Sequence, residues 1–140
     1  MKRILVGIDG SEPATKAAQM ATEIAMRFGA KLTLAYVVPR LVLPPDAYGL
    51  TTADVEADHR AYAEKLLAHA EGQLAESGVQ ADTLVLSGAP AECLAEAAQA
   101  SDVDLVVAGS RGRGAVARML LGSVTDRLVH ISPKPVLVVR

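Results

Sequence analysis

Residues 3–38 read RILVGIDGSEPATKAAQMATEIAMRFGAKLTLAYVV. The first six are short, apolar and β-branched, the pattern of a buried strand. Asp9-Gly10-Ser11 ends it. Ser11 is suited to cap a helix, and Pro13 falls in the first turn, where a missing N–H costs little. Ala14, Ala17, Ala18, Ala21, Ile24, Ala25 and Phe28 then recur at helical spacing and predict one apolar face. Gly29 is placed to cap the C-terminus, and residues 31–38 return to strand.

The same alternation continues outward. Residues 39–52 hold three prolines and Gly49 and read as an irregular surface loop. A long helix over 53–77 carries Tyr62, Leu66, Leu67, Ala70 and Leu74 on one face and stops at Gly78. A strand over 81–86, a turn over 87–90 and a helix over 91–100 follow, then a strand over 104–108. The connection 109–122 is rich in glycine and arginine, with a helical turn predicted over 115–121. A helix over 123–131 and, after Pro133 and Pro135, a strand at Val136–Val139 complete the chain. Strands alternating with helices predict an α/β fold: an open five-stranded parallel sheet with helices on both faces. In such sheets ligands bind at the carboxyl ends of the strands, where the winding reverses. With strand order 3-2-1-4-5 the reversal lies between strands one and four, which end at Asp9 and Gly109.

Length and composition bound the function. The 140 residues fit one domain spanning 1–140, and 51% of them are hydrophobic, enough for a single core. One Phe, three Tyr and no Trp supply few rings for base stacking, and a net charge of −2 gives no global basic footprint. No nucleic-acid partner is therefore expected. A lone cysteine, Cys93, rules out an intrachain disulfide and a Cys-based metal cluster. The N-terminal apolar run is interrupted by Asp9, too early for a secretory segment, and no stretch is long enough to span a membrane. A cytoplasmic location is the expectation.

The chemistry concentrates in Gly109-Ser-Arg-Gly112-Arg-Gly114 and in Gly122-Ser123 at the start of a helix. Glycines let the backbone approach an anion, and consecutive N–H groups form a nest for phosphate oxygens. The N-terminus of the following helix adds free donors and partial positive charge. Between Arg111 and Arg127 there are four arginines and one acid, Asp126. The bland alternative is a solvated loop. Against it, the segment leaves a strand and enters a helix, as a phosphate site requires. It is not a P-loop, because Gly122 stands where the lysine belongs, and the first turn lacks the dinucleotide-binding glycine spacing.

These residues carry a resemblance. Gly109-x2-Gly112-x9-Gly122-Ser123 resembles the ATP-binding signature of universal stress proteins. ILVGIDGSEPA is similar to that family's opening strand and turn, Ser87-Gly-Ala-Pro90 to its middle turn, and GSRGRGAVARMLLGSVTDRLVHISPKPVLVV to its C-terminal block. The resemblance covers nearly the whole chain; residues 39–59 match least. It implies a Rossmann-like fold of the adenine nucleotide alpha-hydrolase type, binding of ATP with Mg2+ or Mn2+, and a homodimer through Val136–Val139. It further implies that Gly7, Ile8 and Asp9 border the adenosine and that Val37 meets the adenine. Gly109, Ser110, Arg111, Gly112, Gly122, Ser123 and Val124 would hold ribose and phosphates. Gly7 stands where the family often has proline.

Other residues have plainer readings. Asp9 serves equally as a ribose or metal contact and as an Asx turn before the helix. His59, His69 and His130 lack ligand spacing and read as helix-surface residues. Cys93 reads as a packed, inert thiol, and Tyr48 as a surface tyrosine. No residue in the glycine motif is an evident base or nucleophile. The expected function is therefore a nucleotide-responsive regulator in stress response, read by an unknown protein partner, with at most slow hydrolysis. The rivals are a nucleotide-processing enzyme, which needs a paired acid or base, and an interaction module of the same fold without a ligand.

Overall fold

The computed structural model describes residues 1–44, 49–112 and 120–140. Five strands, β1 (Arg3–Gly7), β2 (Lys31–Val38), β3 (Ala81–Ser87), β4 (Val103–Gly109) and β5 (Val136–Val139), form one sheet in the order β3-β2-β1-β4-β5. Every pairing is parallel. Helices α1 (Glu12–Phe28), α2 (Thr52–Leu74), α3 (Pro90–Ala97) and α4 (Ser123–Ile131) connect them, with a 3-10 turn at Ala75–Ser77 closing α2.

The two-residue repeat of the strands sorts the core into two layers. Ile4, Val6, Leu34 and Tyr36 pack with Ala17, Ala21 and Ala25 of α1 and Ala63 and Leu67 of α2. Leu5, Ala35, Val106 and Ala108 face the other way, against Ala91 and Leu94 of α3 and Leu128 of α4. An apolar run such as Ile4-Leu5-Val6 is thus buried on both sides, which is why β1 shows no alternation in the sequence.

Helix α1 begins as its sequence predicts. The Ser11 hydroxyl accepts from the Ala14 amide, and Gly29 ends the helix in the left-handed conformation (φ 66°), its N–H bonded to the Ala25 carbonyl. Phe28 departs from the predicted apolar face and is 63% exposed. The cap at Gly29 turns the chain so that Ala30 takes the buried place at the rim of the sheet, its N–H also on the Ala25 carbonyl. In α2, Leu67 and Leu74 are buried but Tyr62 is 41% exposed.

At the amino-terminal rim, the Arg3 guanidinium donates to Asp102 at 2.7 Å, Thr33 at 2.8 Å and Asp82 at 2.9 Å. These bonds hold Asp102 below the usual carboxylate range and raise Arg3. They tie β1 to β2, to β3 and to the turn before β4, at the end of the sheet opposite the cleft described next.

Candidate functional site

The carboxyl ends of β1 and β4, adjacent in the sheet, leave a cleft of about 300 Å³ between the flanking helices. Gly7, Ile8 and Asp9 form its floor where β1 ends, and Val37 and Pro39 its wall where β2 ends. Gly109, Arg111, Gly112, Val124 and Thr125 form the opposite side, and Pro90 and Leu94 of α3 complete it. The volume lies at the lower end for small-molecule sites.

Three short hydrogen-bond systems fix this geometry. The first is the turn after β1. One oxygen of Asp9 accepts from the Ser11 amide at 2.8 Å and from the Ser11 hydroxyl, which in turn accepts from Ala14 N at 3.3 Å. The Asx turn read from the sequence is therefore real, and it occupies Oδ1. Oδ2 faces the other lip of the cleft, where a Cβ added at Gly112 would stand 2.9 Å from it.

The second joins β4 to β5 and α4. Ser110 N donates to the Val139 carbonyl at 2.6 Å, and Gly122 N to the Ser110 carbonyl at 2.7 Å. The buried Thr125 hydroxyl donates to the Gly109 carbonyl at 2.7 Å. The Gly122 amide is thus spent inside the fold and does not face the cleft as a donor. Among the described residues no side chain caps the first turn of α4.

The third lies on α2. The Tyr36 hydroxyl and His59 Nε2 are 2.9 Å apart, the donor set by the imidazole tautomer, and the two rings meet edge to face at 5.8 Å. Both residues line the cleft. His59, read from the sequence as a helix-surface residue, is half-buried in this wall.

Of the residues singled out from the sequence, Gly7, Ile8, Asp9, Val37, Gly109, Arg111, Gly112 and Val124 line the cleft. Ser110 and Gly122 are buried behind its lip, and Ser123 is exposed at the first helical position. Tyr36, His59 and Thr125 were not legible as site residues. Tyr36 reads as core, His59 comes from a different element, and Thr125 is one hydroxyl among several in its segment. Arg113, Gly114, Arg118 and Tyr48 lie outside the described residues, as does most of the predicted turn at 115–121; Leu120 and Leu121 at its end are not helical. The Cys93 thiol donates to the Ser87 carbonyl at 3.5 Å, and burial pushes its pKa up, as suits a packed thiol.

A second cleft, of about 390 Å³, separates α1 from α2. It is larger and lined by Ala18, Leu66 and Ala70 together with Gln19, His69 and Glu76, with no arginine or lysine among its described lining residues. The strand-end cleft carries the chemistry: one carboxylate, one guanidinium, an imidazole and a helix N-terminus converge there. Among the described residues no group of three or more side chains is arranged to hold a metal ion, and no helix is long and apolar enough to cross a membrane.

The fold and sequence have clear relatives. The family model described as "Universal stress protein family" matches residues 1–140. A universal stress protein of Thermus aquaticus is 38% identical over 141 residues, covering 99% of this chain and 98% of its own. The solved structure of UspA from Lactobacillus plantarum superposes with a TM-score of 0.89 at 29% identity, covering 99% of this chain and 97% of its own. A universal stress protein solved in complex with cAMP superposes at 0.74 and 27% identity, covering 99% and 96%. The chain belongs to the universal stress protein family.

Proposed function

We propose that the strand-end cleft binds ATP and that the protein acts as a nucleotide-responsive regulator in stress response. The observation that carries this reading is the uncapped N-terminus of α4 opening beside Arg111 and Gly112. The amides at a helix start, their partial positive charge and a guanidinium are what a phosphate chain needs. The phosphates lie on this side, near Gly109, Arg111, Gly112 and the first turn of α4, including Ser123 and Val124. The nucleoside extends across Gly7, Ile8 and Asp9 toward Val37. The relative solved with cAMP supports an adenine nucleotide as the ligand class.

Asp9 Oδ2 and the phosphates together would ligate Mg2+ or Mn2+, which takes most of its ligands from phosphate and water. Asp9 is the only carboxylate among the described lining residues, and the imidazole of His59 stands on the β2 wall away from the phosphates, so hydrolysis is slow at most. MgATP at about a hundred times its dissociation constant adds about 2.7 kcal/mol of stability. For a chain of this length the melting temperature should rise by roughly 8–10 °C. No shift with millimolar MgATP in differential scanning fluorimetry would favour an interaction module without a ligand.

The regulator is a homodimer in this reading. Strand β5 is a sheet edge, and its Val138 belongs to neither core layer. Antiparallel pairing of two β5 strands about a two-fold axis would cover that edge. Val138→Asp is expected to sediment as a monomer in analytical ultracentrifugation, and a persisting dimer would move the interface elsewhere.

A further inference from the structure

We infer that His59 is a direct contact to the base or ribose of the bound nucleotide, supplied from α2 across the cleft from the phosphate side. The inference rests on the nucleotide site proposed above and adds to it the residue that reads the nucleoside.

The argument starts from the two walls. In the sheet β1 lies between β2 and β4. The groups suited to phosphate, Arg111, Gly112 and the first turn of α4, all stand on the β4 side. The β2 side offers Val37, Pro39, Tyr36 and His59. An extended nucleotide with its anionic end at α4 therefore lays its uncharged end against the β2 wall. Apolar surface there suits the faces of a base, and His59 is the side chain of that wall with a ring nitrogen to spare.

His59 is also held in place. Its Nε2 is tied to the Tyr36 hydroxyl at 2.9 Å, and its ring stands at 65° to that of Tyr36 and packs beside Tyr62 at 6.3 Å. With Nε2 engaged, Nδ1 is the remaining donor or acceptor, whichever the tautomer makes it, and it has no hydrogen-bond partner among the described residues. A half-buried imidazole on the wall of a cleft, its ring fixed through one nitrogen, loses little freedom on bonding a ligand heteroatom that reaches the other, which is the advantage of a pre-organised contact.

The test uses the intact protein with MgATP in two measurements. In the saturated complex, His59 ring protons should show intermolecular NOEs to adenine H2 or H8 or to ribose H1′. By calorimetry, His59→Phe, which keeps the ring and loses both nitrogens, should bind MgATP roughly three- to tenfold more weakly. Its melting temperature without nucleotide should fall by no more than a few degrees, the loss of the bond to the Tyr36 hydroxyl. His59→Gln, which restores a donor and an acceptor, should recover part of the loss. Absent NOEs, or wild-type affinity in His59→Phe, would overturn the inference while leaving the nucleotide site standing. Failure of the wild-type protein to bind MgATP would overturn both, so the two failures are distinct.

Discussion

Replacing Gly109 by alanine is expected to destabilise the protein by about 3 kcal/mol or more, a fall in melting temperature of roughly ten degrees, with no nucleotide present. The cause is a backbone contact. A Cβ on Gly109 would stand 2.7 Å from the carbonyl carbon of Pro13, 2.8 Å from Ala14 N and 2.8 Å from Pro13 Cβ. None of these is the tip of a flexible side chain, so the first turn of α1 would have to lift off β4. That turn cannot move alone, because Ser11 ties it to Asp9 and Ala14 is buried. Resemblance assigns Gly109 to the ligand; the contacts assign it to the close packing of helix on sheet. The measurement is a thermal melt of Gly109→Ala beside wild type in nucleotide-free buffer. A difference under about 2 °C would show that α1 yields at little cost and that the glycine is there for another reason.

This residue illustrates how far the sequence reaches. The βαβ alternation over residues 3–38 and the Ser11 and Gly29 caps are local or periodic features; the strand order, and with it the reversal of winding between β1 and β4, is carried by none of them and is seen only in the folded sheet. The glycines could be located like the caps, since spacing is a property of the chain. Their reasons could not. Gly109 meets Pro13, and Gly122 meets Arg111, through space that only the packed fold defines.

The same limit hid Tyr36 and His59. They sit 23 residues apart on a strand and a helix, and neither belongs to a repeating pattern that would single it out. Thr125 was equally silent, because its partner, the Gly109 carbonyl, is a backbone group 16 residues away. Phe28 fails for the opposite reason. Periodicity places it on the buried face of α1, but periodicity carries no information on where the helix runs out of sheet, and Ala30 takes the place instead.

Gly122→Val should lower MgATP affinity by roughly ten- to a hundredfold, the loss of one or more charge-assisted hydrogen bonds, while the fold survives. Gly122 has φ −70° and ψ 158°, a conformation open to any residue, so valine meets no backbone strain. Its amide is already bonded to the Ser110 carbonyl, so no ligand donor is removed directly. What valine adds is bulk. A Cβ at this position would lie 3.2 Å from Arg111 Cα, 3.4 Å from the Ser110 carbonyl oxygen and 3.5 Å from Gly112 N, and the γ-methyls reach further.

The backbone of 110–112 must then shift, and with it the Arg111 and Gly112 lip of the cleft. Gly112 has little room on its other side, where Asp9 Oδ2 stands. The expected result is therefore a misplaced phosphate wall in a folded protein: a melting temperature a few degrees below wild type without nucleotide, and a smaller upward shift when MgATP is added. Gly122→Ala, which adds the Cβ alone, should fall between the two. Wild-type affinity in Gly122→Val, measured by isothermal titration calorimetry, would mean that the lip formed by residues 110–112 does not hold the phosphates, and the ligand would have to be sought outside the strand-end cleft.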